Sequence, residues 1–140
     1  MTTRAPFVEV AAAVIAQDGR YLITQRTSRS HLEGLWEFPG GKRQPGESLE
    51  ACLRRELREE LDVDVSVGEK VYETSWEYPE RKVILHFFRC QIAGGTISPT
   101  EGQAFRWVSP GDLIRYNFPP ADAELVQALA RGGMSASGYA

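Results

Sequence analysis

The stretch GKRQPGESLEACLRRELREELDV, residues 41 to 63, decides how this chain is read. Its second half has a helical period: Leu49, Leu53, Leu57 and Leu61 recur every fourth residue and form one apolar stripe. Ser48 is the expected N-cap, and Glu50 suits the positive end of the helix dipole. Gln44-Pro45-Gly46 predicts a turn just before it. On this helix Glu56 and Glu60 lie one turn apart, with Glu59 three residues from Glu56, so the three carboxylates can share an edge. Taken alone, these charges read as a solvated acidic face, with partners such as Arg55 for Glu59. Like charges at this spacing repel, however. A cluster of hard oxygen ligands gains a purpose if a divalent cation sits among them.

Outward from the helix, the pattern changes to strands. Phe7 to Ala16 alternates, with Val8, Val10, Ala12 and Val14 on one face, and Asp18-Gly19 joins it to a second run at Tyr21–Gln25. Two such runs around Asp-Gly predict a hairpin. Residues 27–34 read as a polar loop, and Leu35 to Phe38 as a short strand ended by Pro39-Gly40-Gly41. Past the helix, strands are expected at 63–67, 71–77, 82–92 and 104–108, and a helical turn at Ser109–Leu113. A last helix is expected over 121–131, with Leu125, Val126 and Leu129 inward. The expected architecture is a single α+β domain over 1–131, a mixed β-sheet packed between helices as an α/β/α sandwich. A disordered tail is expected from 132 to 140.

Composition narrows the function classes. The 140 residues carry 16 Lys+Arg against 19 Asp+Glu, a formal charge of −3, which argues against non-specific nucleic-acid binding. Cys52 and Cys90 make no metal or redox spacing. No segment resembles a signal peptide or a membrane span, so a cytoplasmic monomer or weak dimer is the expectation.

The stretch at 41–63 resembles the Nudix box, GX₅EX₇REUXEEXGU with U aliphatic. Gly41, Glu47, Arg55, Glu56, Leu57, Glu59, Glu60 and Val63 match at the correct spacing. A chance match of this quality in one chain is on the order of one in a million from average residue usage. Asp62 departs from the pattern, standing where the motif has glycine; Asp tolerates the left-handed helix cap better than most residues. The segments 35–42 (LWEFPGGK), 77–88, 101–103 (EGQ) and 118–122 (FPPAD) resemble the MutT-type branch.

This resemblance implies a Nudix fold and Mg²⁺-dependent cleavage of a nucleoside triphosphate into monophosphate and pyrophosphate, with Mn²⁺ as a substitute. It implies that Glu56, Glu59, Glu60 and Glu101, with the Gly40 carbonyl, hold the metal. Glu56 would be the general base, Arg55 would orient a glutamate, and Glu47 would support them. Arg26, His31, Glu37, Phe38, Pro39, Gly40 and Lys42 would contact or line the nucleotide site. Trp36, Trp76 and Trp107 read as core or cleft wall.

Asp122 bears on the base. Its position matches the asparagine of guanine-selective relatives, and an ionised aspartate offers only acceptors, for the N7–H of 8-oxoguanine or the amine of cytosine. A raised pKa would restore a donor. Capping of the last helix is a compatible role. The resemblance puts 8-oxo-dGTP first, as in nucleotide-pool sanitation, and CTP or a modified pyrimidine triphosphate second. ADP-ribose follows, on Pro79 alone. A catalytically silent 8-oxoguanine-recognition module is the reading from another class; the complete glutamate set argues against it.

Overall fold

A computed structural model of the chain describes residues 7–27 and 34–132. The alternating first run forms β1 (Phe7–Gln17), which turns at Asp18-Gly19 into β2 (Arg20–Gln25). Both turn residues have positive φ, 53° and 77°, the twist that two-residue hairpins require. Next come β3 (Trp36–Glu37), β4 (Gly40–Lys42) and helix α1 (Leu49–Leu61). Then follow β5 (Asp64–Tyr78), β6 (Arg81–Gly94), β7 (Phe105–Val108) and helix α2 (Ala123–Ala130), with 3₁₀ turns at Pro110–Arg115 and Pro120–Asp122.

The seven strands form a mixed sheet in the order β3-β2-β1-β6-β5, with β4 paired to β1 and β7 to β2. β1 and β6 run parallel, Phe7 opposite Lys82 through Ile15 opposite Cys90. This central position buries β1 on both faces, where its alternation had suggested one. Ala11, Ala13 and Ile15 pack with α1, while Ala12 and Val14 face the core completed by α2. The sandwich of sheet between helices is the expected one.

Helix α1 keeps its predicted bounds for the predicted reasons. Ser48 Oγ accepts from the Ala51 N–H at 3.0 Å, and Asp62 takes the left-handed conformation (φ 58°). Leu53, Leu57 and Leu61 are fully buried, each worth about 2 kcal/mol of transfer free energy. In α2, Leu125, Val126 and Leu129 are inward as expected, and its first expected turn is 3₁₀.

Three local readings change. The runs at 63–67 and 71–77 are one strand, β5, whose break at Gly68–Lys70 is absorbed by register shifts. Gly40-Gly41 extends as β4 instead of only ending a strand, because it lies against β1 with Ala12 opposite Gly40 and Ala11 opposite Gly41. Trp76 is 41% exposed on edge strand β5, so it is not core. Cys52 and Cys90 are buried free thiols, pushed up to about 11 and about 12 chiefly by desolvation. Among the described residues no helix is long and apolar enough to cross a membrane. Residues 133–140 of the tail expected at 132–140, and His31, the expected nucleotide contact, lie outside the described residues.

Candidate active site

A cleft of about 1150 Å³ opens where α1, β4 and the 100–103 loop meet the α2-side face of β1 and β6. Its two ends differ in chemistry. Gly40, Gly41, Lys42, Glu56, Glu59, Glu60 and Glu101 line one part, Arg26, Phe38 and Asp122 the other, and Glu37 stands between them, its charge acting on both Glu60 and Asp122.

The acidic end is organised by Arg55. Its Nε donates to Glu47 Oε2 at 2.6 Å and its Nη2 to Glu47 Oε1 at 2.9 Å. The same guanidinium reaches Glu56 Oε2 at 3.0 Å, Glu59 Oε1 at 3.1 Å and the Lys42 carbonyl at 3.1 Å. Glu47 is held down to about 2, mainly by the hydrogen bonds from Arg55 and then by the Gln44 N–H. Glu56 and Glu60 behave oppositely. Desolvation comes first in raising both, and Glu60 is raised further by Glu37, Glu56 and Glu101 around it. Gly41 is required by this packing, since a methyl group there would collide with the Glu56 carboxylate.

Among the described residues no three carboxylates stand as a ready-made cage for one ion. Arg55 draws Glu56 and Glu59 toward itself, and without counter-charge the remaining carboxylates repel. The donor chemistry nevertheless fits a hard divalent cation. Glu56, Glu59, Glu60 and Glu101 all line one cleft, and the raised Glu56 and Glu60 mark a site whose negative charge is under-compensated.

At the other end, Arg26 Nη1 pairs with Glu37 Oε1 at 2.5 Å. Asp122 is 4% exposed and is pushed up to about 7, first by desolvation and then by Glu37, with Arg26 opposing. It stands at the N-cap position of α2 but makes no side-chain capping bond, so the capping role is corrected. Phe38 is wedged between Phe118, stacked at 5.3 Å, and Phe87, edge-on at 6.0 Å. Pro39 does not line the cleft. It is fully buried, and its carbonyl accepts from the Ala13 N–H at 2.8 Å, tying the β3–β4 link to β1.

The fold thus brings together every described candidate except Pro39. It also adds Thr100, which the sequence did not single out: its side chain bonds to carbonyls some 40 residues away, a relation without local signature.

A mixed sheet whose sandwiching helix presents this glutamate set defines a hydrolase of the Nudix class. Residues 10–128 match the family model described as NUDIX domain, and the chain belongs to that family as a Nudix hydrolase. It is 43% identical over 122 residues to the CTP pyrophosphohydrolase of Escherichia coli (strain K12), covering 87% of this chain and 90% of the relative. It is 36% identical over 124 residues to the 8-oxo-dGTP diphosphatase of Haemophilus influenzae, with the same coverage of 87% and 90%. Among solved structures, the solution structure of the Escherichia coli ORF135 protein is similar with a TM-score of 0.79 at 40% identity, covering 94% of this chain and 93% of that one. The MutT protein of Methanosarcina mazei Go1 gives a TM-score of 0.81 at 25% identity, covering 93% and 97%.

Proposed function

We propose that this Nudix hydrolase converts a nucleoside triphosphate to monophosphate and pyrophosphate, with a cytosine nucleotide as its preferred substrate. The observation that carries the reading is one cleft joining the α1 carboxylates to the half-buried Arg26–Glu37 pair and the buried Asp122. A phosphate chain with its metal suits the first end and a base edge the second. Bound Mg²⁺, or Mn²⁺ in its place, supplies charge neutralisation on the phosphate oxygens.

In this reading Glu56, Glu59, Glu60 and Glu101, with the Gly40 carbonyl, hold the metal. Glu56 takes the proton of the attacking water, and its burial-raised basicity suits that task. Water attacks an internal phosphorus, and the bond between that phosphorus and the oxygen of the departing nucleotide breaks. Arg55 keeps Glu56 oriented through its 3.0 Å contact, and Lys42 meets a phosphate oxygen. Arg26 and Glu37 contact the nucleotide, with Phe38 behind them.

One comparison favours cytosine, and Asp122 accommodates it. The 43% identity to a CTP pyrophosphohydrolase exceeds the 36% to an 8-oxo-dGTP diphosphatase. Asp122, raised to about 7, exists in both protonation states near neutrality, so it can accept from an exocyclic amine or donate to a ring nitrogen. The second reading is 8-oxo-dGTP, favoured by the same buried acceptor facing an N7–H. This order reverses the one that the sequence resemblance suggested.

The test is pyrophosphate release with and without Mg²⁺ across CTP, dCTP, 5-hydroxy-CTP, 8-oxo-dGTP, dGTP and ADP-ribose, ranked by kcat/KM. A cytosine nucleotide at the head supports the proposal. A lead of 8-oxo-dGTP replaces the substrate and keeps the mechanism, and absence of metal-dependent turnover overturns both.

A further inference from the structure

The 95–104 loop is fastened to the C-terminal end of α1. Ser98 N–H donates to the Leu61 carbonyl at 2.8 Å and Thr100 N–H to the Glu60 carbonyl at 3.0 Å. Thr100 Oγ1 donates to the Glu59 carbonyl at 2.8 Å, with the Glu60 carbonyl 3.4 Å away. These carbonyls belong to the last turn of the helix, where no intrahelical N–H remains for them. The same turn carries the Glu59 and Glu60 side chains into the cleft, and the residue after Thr100 is Glu101. On the far side of Glu101, its own N–H is held by Gln103 Oε1 at 3.0 Å, and the Ala104 carbonyl accepts from Gln25 N–H at 2.9 Å. Glu101 itself is exposed and sits on a turn, so its place beside Glu60 depends on these anchors.

We infer that Thr100 is a positioning residue whose hydroxyl, bound to the Glu59 and Glu60 backbone, sets Glu101 against the α1 carboxylates so that helix and loop form one ligand set. The inference rests on the proposed role of Glu101. Backbone N–H groups at 98 and 100 fix how close the loop lies, while the Oγ1 bond fixes its rotation about the helix end, which directs the Glu101 side chain. A hydroxyl donor is what the position needs: Ser retains it, and Val keeps the shape without it.

The experiment compares Thr100→Val and Thr100→Ser, each alone and combined with Glu101→Gln. It measures kcat, nucleotide KM, melting temperature and Mn²⁺ affinity of the substrate-free protein by water-proton relaxation. The expected result for Thr100→Val is a kcat loss of about five- to tenfold, the effect of one net hydrogen bond. Mn²⁺ binding should weaken about as much, by the same reasoning, while nucleotide KM stays unchanged. Thr100→Ser should recover both to within about twofold, and Thr100→Val should cost nothing further in the Glu101→Gln background. If Glu101→Gln is impaired but the Thr100→Val loss persists in full on top of it, Thr100 is only a helix cap and the inference is overturned. Wild-type Mn²⁺ affinity and kcat in Thr100→Val overturn it as well. If Glu101→Gln alone matches the wild type in kcat and Mn²⁺ binding, the assigned role of Glu101 fails, and this inference with it.

Discussion

The two ends of the cleft are built in opposite ways. Glu47, Arg55, Glu56, Glu59 and Glu60 come from one continuous segment, and a single guanidinium binds four of its neighbours' groups within it. Arg26, Glu37 and Asp122 come from the end of β2, from β3 and from the turn before α2, and share no local pattern. Yet both ends hold acidic groups raised by burial, Glu56 and Glu60 at one and Asp122 at the other, with Glu37 between them. The difference teaches how the division of labour arises. In the proposed function, chemistry on a phosphate chain needs fixed spacing among charges, which a helix supplies from sequence alone. Base choice needs a shaped and dry pocket, which distant segments supply together.

The comparison breaks hardest at the acidic end. Glu56→Gln or Glu60→Gln should lower kcat by at least ~10²-fold, as expected on losing a base or an essential metal ligand. Because Glu60 is crowded by Glu37, Glu56 and Glu101, the neutral replacement should melt no lower than wild type. Near-normal turnover in either purified variant would remove the assignment.

A pair of glycines sharpens the same end. Gly40→Ala would drive a methyl into the Ala11 backbone carbonyl, which cannot yield, so loss of folding is expected. At Gly41→Ala the three nearest atoms all belong to the Glu56 carboxylate, the end of a side chain that can yield, so this variant should fold. Displacing Glu56 by about 1 Å should cost on the order of 10²-fold in kcat. Circular dichroism and turnover measured together separate the two, and an active Gly41→Ala protein would show that Glu56 need not stay where it is.

At the other end, Asp122→Asn should reorder the substrates by about tenfold in relative kcat/KM, the scale of a hydrogen bond to a charged group. The rate on each one's phosphate chain should change less. An unchanged ranking would disconnect Asp122 from the base.

A separate effect is expected on stability against pH. Below pH 3.8 Asp122 is protonated in both folded and unfolded chains. Above that, the unfolded aspartate ionises while the folded one keeps its proton until about 7, so stability falls as pH rises through this window. The full difference is on the order of 4 kcal/mol. Denaturant titrations from pH 4 to 8 without metal should show the decline, to which the raised Glu37, Glu56 and Glu60 also contribute, and Asp122→Asn should make it shallower. A decline of equal size in the variant would assign it to other groups.

How much was legible follows from the range over which each interaction acts. The helix from Ser48 to Leu61, its cap at Asp62 and the Arg55–Glu59 pair depend on residues three or four apart, and all were readable. The Asp18-Gly19 hairpin was readable for the same reason. Gly40-Gly41 was read as the end of a strand, because its extension as β4 exists only through pairing with Val10–Ala12. Trp76 was misplaced because exposure at a sheet edge depends on strand order. The resemblance puts Pro39 in the cleft, but its burial and the bond from the Ala13 N–H to its carbonyl hold it in the core, a contact across the sheet that no local pattern signals.

The sequence by itself determined the motif and the helix that displays it, since side-chain spacing on a helix is set by its fixed period, and the hydrolase class followed from the resemblance of that motif to the Nudix box. Only the tertiary structure decided that the loop carrying Glu101 is tied to the end of α1 through Ser98 and Thr100, with the charge of Glu101 acting on Glu60, and that Asp122 is buried under the influence of Glu37 instead of capping α2. Those relations depend on desolvation and on contacts across the sheet, and neither exists until the distant segments have packed.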